Sequence, residues 1–168
     1  MTYNFNKVQI LVIECSSSML QLLKSVLCKL NVPVENIAEA YTTEEAFINF
    51  CASEYDLIIT DWLENPDTGI EITKRIRREV KSPNPAIPII MTAGSAHVKK
   101  VLKARDAGIS DYLVKPFSAN ALVNTLERVI EDKRQFVIAD SYVGPDRRRN
   151  LNPEYDGPER RNVDAFYV

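Results

Sequence analysis

Four side chains that could do chemistry together each close a short apolar run. Glu14 follows "VQILVI" (8–13), Asp61 follows "DLIIT" (56–60), Thr92 lies in "IPIIMTA" (87–93) and Lys115 follows "DYLV" (111–114). Taken singly, each reads as part of a polar rim carrying a salt bridge. Together they offer two carboxylates, a hydroxyl and an ammonium, a set suited to phosphoryl transfer onto a carboxylate. Asp61 would be the nucleophile. Glu14 and Asp61 would hold a divalent cation that neutralises the phosphoryl oxygens. Lys115 and Thr92 would each take one of those oxygens.

Such a set converges only if the runs are neighbouring strands. Each run is short and rich in β-branched residues, as buried strands are. "NIAEAY" (36–41) reads as a fifth. Helical patterns separate them. Leu20, Leu23, Leu27 and Leu30 lie at helical spacing over 17–30, and Thr42 with Glu45 offers a capping box for a helix over 44–53. Further helices are predicted over 69–79 and over 98–107, the latter stopped by Gly108, and from Ser118 to about Arg134 with Leu122, Leu126, Val129 and Ile130 inward. Strands alternating with helices predict βαβ units on a parallel sheet wound on both faces. Ligands of such sheets bind outside the carboxyl ends of the strands, where Glu14, Cys15, Asp61, Thr92 and Lys115 stand.

"ILVIECSSSM", "LIITDWLENPDTGIE", "IPIIMTAGSA" and "DYLVKPFSANAL" resemble, in order and spacing, the motifs of CheY-like response-regulator receiver domains. The resemblance covers residues 7–134 and leaves 135–168 as a tail. It implies a flavodoxin-like five-stranded parallel sheet of order 2-1-3-4-5 with an irregular C-terminal extension. It implies Asp61 as acceptor of a phosphoryl group from a histidine kinase or phosphotransfer protein, and Thr92 and Tyr112 as switch residues. Lys115 matches the family's lysine, in a Lys115-Pro116 peptide that is often cis there. Mg²⁺ is the implied cation, held by Glu14, Asp61 and the Leu63 backbone. A receiver of this kind is a signalling module rather than an enzyme.

One position departs from the pattern. The family carries an acidic pair after its first strand, whereas this chain has Glu14 and then Cys15. A neutral thiol is a poor ligand for a hard dication. Opposite unit charges at 4 Å are worth about 4 kcal/mol at an effective dielectric of 20. The metal site is therefore expected to be weakened. Glu64, three residues after Asp61, is a candidate substitute carboxylate, though it reads more readily as a solvated loop charge.

The tail repeats itself. Tyr142, Gly144, Pro145, Asp146, Arg147 and Arg148 recur thirteen positions later as Tyr155, Gly157, Pro158, Glu159, Arg160 and Arg161, with Arg149 extending the first copy. Residues 139–168 hold five arginines, no lysine and six acids, so a non-specific polyanion-binding arm is a poor fit. The planar fork of arginine matches guanine O6 and N7. A neighbouring carboxylate can accept from guanine's own donors, a Gly-Pro turn permits close approach, and tyrosine offers a stacking face. Two such units suit a ligand with two guanines and two phosphates, such as cyclic di-GMP. The tail resembles the arginine-rich segment of the alphaproteobacterial Cle proteins, CheY-like receivers that bind cyclic di-GMP and tune flagellar motors or attachment. With few aliphatic residues, it is expected to be mobile until a ligand orders it.

Composition bounds the rest. The chain has 168 residues, a net charge of −2 and an ordinary apolar share, which fits one soluble domain with an extension and no general attraction to DNA. No signal-peptide shape and no apolar run near the ~18 residues of a membrane span is present, and three cysteines lack metal-type spacing, so a cytoplasmic protein with reduced thiols is expected. One histidine, His97, makes a Ser-His-Asp triad improbable. Three readings stay open: a receiver controlled by cyclic di-GMP, a phosphorelay receiver whose tail docks on a protein, and a degenerate receiver serving as a scaffold.

Overall fold

The computed structural model describes residues 4–62, 68–147 and 164–166. Strands β1 (Ile10–Ile13), β2 (Ile37–Ala40), β3 (Leu57–Asp61), β4 (Ile89–Ala93) and β5 (Asp111–Val114) form one parallel sheet in the order 2-1-3-4-5. Between and after them run α1 (Ser17–Lys29), α2 (Thr43–Ala52), α3 (Thr68–Arg78), α4 (Val98–Ala107) and α5 (Ala119–Ile130). The alternation of patterns predicts the parallel sheet, and the flavodoxin-like order is the one that the receiver resemblance implies.

Successive strand residues face opposite ways, so each strand feeds two cores. Leu11, Ile13, Ile58, Ile89 and Met91 pack against Phe47 and Phe50 of α2, Ile72 and Ile76 of α3, and Ala104 of α4. Ile10, Val12, Ile59, Ile90 and Leu113 pack against Leu20, Leu23 and Leu27 of α1 and Leu122, Leu126 and Val129 of α5. Side-chain caps set the helix starts: Ser16, Thr42 and Ser118 accept from the amides of Met19, Glu45 and Ala121. Gly108 ends α4 in the left-handed region at φ 102°.

The last helix is shorter than its sequence pattern. It ends at Ile130 rather than near Arg134, because Asp132 turns the chain by accepting from the backbone and side chain of Arg134. The guanidinium of Arg134 donates to the Ser110 carbonyl at 2.8 Å. Ile130 is half exposed, not inward, since it stands in the final turn beyond the last packed position, Val129.

Past α5 the chain forms β6 (Phe136–Ala139) and β7 (Tyr142–Pro145), an antiparallel pair joined through Asp140 and Ser141, with β8 (Asp164–Phe166) on the other side of β6. The hairpin rests on the C-terminal ends of α3 and α4. A Cβ on Gly108 would lie 2.3 Å from the Val143 carbonyl, and one on Gly144 would lie 2.7 Å from the Gly108 Cα. Two backbones therefore meet where only glycine fits. Arg77, wholly buried, ties this junction together. It donates to the carbonyls of Gly108 (2.9 Å), Pro85 (2.6 Å) and Ile87 (2.7 Å) and lies 5.4 Å from the Phe136 ring centre. Burial pushes its guanidinium down to about 9, which leaves it charged at neutral pH.

Residues 142–147 thus have packing partners, and the expected mobility of the tail before ligand binds is a matter for NMR of its amides. Read from residue 139 onward the segment lacks apolar partners, but Phe136 and Val137 of β6 and the end of α4 supply them. The second copy of the repeat lies outside the described residues.

Candidate functional site

The carboxyl ends of β1, β3, β4 and β5 bring the four sequence-predicted residues together. Glu14 directly follows β1, with its side chain 2% exposed. Asp61 ends β3 and pairs in register with Thr92 on β4. Lys115 follows β5, and its ammonium lies 2.6 Å from Glu14 Oε2 and 2.8 Å from Asp61 Oδ1. The Lys115-Pro116 peptide is cis. Burial alone would lower the Lys115 pKa, but the hydrogen bonds and charges of Asp61 and Glu14 outweigh it and the net shift is upward. The lysine is a fixed cation between two carboxylates.

The remaining polar groups are either spoken for or open. Glu14 Oε1 accepts from the Ser16 amide at 2.9 Å, and Asp61 Oδ1 from the Trp62 amide at 2.9 Å. Thr92 is fully buried, and its hydroxyl has no hydrogen-bond partner among the described residues. A buried hydroxyl left unpaired beside a carboxylate costs free energy unless something else meets it. An incoming phosphoryl oxygen would be such a partner. Tyr112, in β5, is half buried and donates its hydroxyl proton to the Ser95 carbonyl at 2.7 Å.

Glu14, Cys15 and Asp61 place one carboxylate oxygen, one thiol sulfur and one carboxylate oxygen within 4.8 Å of each other. Two carboxylates suit Mg²⁺, and the exposed Cys15 thiol does not. The donor set therefore fits a hard dication in outline, through Glu14 and Asp61, with one ligand position chemically mismatched. Leu63 and Glu64 lie outside the described residues.

Gly69, in the first turn of α3, is a site residue that no motif reading singled out. Its amide donates to the Trp62 carbonyl at 3.0 Å, and a Cβ there would lie 2.2 Å from the Asp61 carbonyl. The only sequence signal is a lone glycine eight positions after Asp61, which reads equally well as a turn.

The tail residues stand elsewhere, at the far ends of α3 and α4. Tyr142, Gly144, Pro145 and Asp146 are buried in the hairpin. The Tyr142 hydroxyl donates to the Pro145 carbonyl, and burial raises its pKa. Arg147 is exposed. Its guanidinium lies 4.0 Å above the Tyr142 ring and 3.2 Å from Asp106 of α4. The first copy therefore presents its arginine on the tyrosine rather than offering the tyrosine face to a base. Arg148, Arg149, Tyr155, Gly157, Pro158, Glu159, Arg160 and Arg161 lie outside the described residues.

Comparison with known proteins agrees with the geometry. A family model described as the response regulator receiver domain matches residues 10–127. The chemotaxis protein CheY of Pseudomonas aeruginosa is 28% identical over 123 residues, covering 73% of this chain and 96% of that protein. A CheY homolog of Campylobacter jejuni is 32% identical over 123 residues, covering 73% and 92%. The structure of chemotaxis response regulator CheY4 of Vibrio cholerae superposes with a TM-score of 0.64 at 26% identity, covering 73% of this chain and 98% of that one. The matched family model stops before the hairpin.

Proposed function

Because this chain belongs to the response regulator receiver domain family, we propose that Asp61 is its phosphoacceptor and that the arginine-rich tail adds a second input, cyclic di-GMP. The coarser role is that of a CheY-like response regulator in two-component signalling. The observation that carries the phosphoacceptor reading is the unpaired buried Thr92 hydroxyl beside an aspartate already held by a lysine.

The chemistry follows from those positions. An Asp61 carboxylate oxygen attacks the phosphorus of a phosphohistidine on a kinase or phosphotransfer protein. The P–N bond breaks, its electron pair stays on the imidazole, and an acyl phosphate forms. Thr92 donates its hydroxyl proton to one phosphoryl oxygen, and Lys115 moves its ammonium onto another. Glu14 and Asp61 would hold Mg²⁺, which supplies charge neutralisation for the transferring group. Loss of the bridge from Lys115 to Asp61 then frees β5 and Tyr112 to rearrange. The output is a protein–protein contact, with flagellar motor or attachment machinery as the target.

The test is labelling by acetyl phosphate. Asp61→Asn should abolish it. Wild type should label weakly and need high Mg²⁺, and Cys15→Asp should lower the Mg²⁺ requirement by about tenfold to a thousandfold. Full wild-type labelling at low Mg²⁺, unchanged by Cys15→Asp, would show that the thiol costs the site nothing.

The cyclic di-GMP input rests on the doubled motif and on Arg147 standing exposed on its tyrosine. Cyclic di-GMP is expected to bind better than cyclic di-AMP, because adenine lacks the O6 acceptor and N1 donor. The mismatch is worth about 1–3 kcal/mol per base. Calorimetry with both nucleotides measures it, and equal affinities would mean that the tail reads phosphate alone. No binding of either would leave the tail as a protein-docking arm.

A further inference from the structure

Between α3 and α4 lies a groove of about 380 Å³ lined by Lys74, Lys99, Lys103, Leu102, Asp106 and Ala107. Three ammonium groups from two helices share one concavity with a single carboxylate. That carboxylate is already engaged: Asp106 Oδ1 accepts from Arg105 at 3.0 Å and lies 3.2 Å from the guanidinium of Arg147. Neither Lys74 nor Lys99 forms an ion pair with a described residue. Exposed lysines on a helix are usually just solvated. Here they line one shallow, solvent-open depression on a chain whose net charge is −2, so the positive charge is local and not a reflection of composition. The cleft also abuts Arg147, the exposed arginine of the first repeat.

We propose that this groove is an anion seat for a phosphate-bearing small molecule. Resting on the tail reading above, it is where one phosphate of the cyclic dinucleotide sits while Arg147 engages a guanine. An ammonium is a compact point charge with three donors and can take a phosphodiester oxygen without a fixed fork geometry. In the absence of ligand, Asp106 occupies the Arg147 guanidinium that the guanine edge would take.

The test uses the full chain in metal-free buffer with two probes, cyclic di-GMP and inorganic pyrophosphate. Affinity is read by calorimetry, and location by amide shifts across α4. The variant is Lys74→Ala with Lys99→Ala, two exposed positions whose loss leaves the fold intact. Both probes should shift α4 amides in wild type, and the variant should bind each at least about tenfold more weakly, as expected from losing charge-assisted contacts. Cyclic di-GMP bound equally by variant and wild type overturns the groove and leaves the tail reading standing. Pyrophosphate held by wild type and lost by the variant, with no binding of cyclic di-GMP, overturns the tail reading and leaves the groove. If neither probe binds, both fall.

Discussion

Arg77→Met is expected to destabilise the chain by about 3 kcal/mol or more. The guanidinium satisfies the buried carbonyls of Gly108 and Ile87 and the part-buried carbonyl of Pro85. A thioether fills the space but donates nothing, and each buried acceptor left unmet costs about 1–3 kcal/mol. The Phe136 ring also loses the cation beside it. Urea unfolding measures the loss, and hydrogen exchange locates it: amides of β6 and β7 should lose protection first. Arg77→Lys should recover only part, because one ammonium cannot reach three carbonyls set out around a planar fork. A loss under about 1 kcal/mol for Arg77→Met would mean that the hairpin and the α3–α4 corner hold without this anchor.

Gly69→Ala is expected to disable the phosphoacceptor while leaving most of the fold in place. The added methyl would lie 2.2 Å from the Asp61 carbonyl and 3.0 Å from the Trp62 Cα, so either the start of α3 or the end of β3 must move. Overpacking of this kind costs about 1–3 kcal/mol. The functional cost is expected to be larger, because the displaced residue is the proposed phosphoacceptor. A misplacement of about 1 Å is worth about a hundredfold in rate. The readout is the labelling rate with acetyl phosphate at saturating Mg²⁺. Gly94→Ala is the control, since a Cβ there meets nothing within 4 Å although it follows the strand that carries Thr92. Equal labelling by Gly69→Ala and wild type would show that the helix start yields without moving Asp61.

The parallel sheet and its site were legible because they rest on periodicity and strand ends. Runs such as "DLIIT" and "IPIIMTA" are short, β-branched and apolar and read as interior strands, and in a parallel sheet the polar residues that end them lie along the same edge. The Gly108 stop of α4 and the Ser118 cap of α5 were legible for a similar reason: each is one residue type doing a local job. The hairpin was not. "FVIADSYV" carries an apolar pattern around a two-residue Asp-Ser turn, but the arginines and Gly-Pro steps that follow suggested a segment with nothing to bury. What fixes it comes from far along the chain, from Arg77 and Gly108, and long-range close approach leaves no local trace in sequence. Gly69 lies inside the quoted "LIITDWLENPDTGIE" but was not singled out, because its constraint is a missing methyl against a backbone atom, visible only in three dimensions.

Helix α4 is about 15 Å long. It starts shortly after Ser95, whose carbonyl accepts from Tyr112, and ends at Gly108 against β7, with Asp106 holding Arg147. The two proposed inputs therefore sit at opposite ends of one rod. Thermodynamic linkage makes such an arrangement reciprocal. If nucleotide binding at the hairpin end shifts the free energy of the acyl phosphate at Asp61, phosphorylation must shift nucleotide affinity by the same factor. A thermodynamic box with four corners (free, nucleotide-bound, phosphorylated and both) must close. A fivefold gain measured along one side would fix the opposite side before it is measured, and the protein would compute the coincidence of two signals with no further domain.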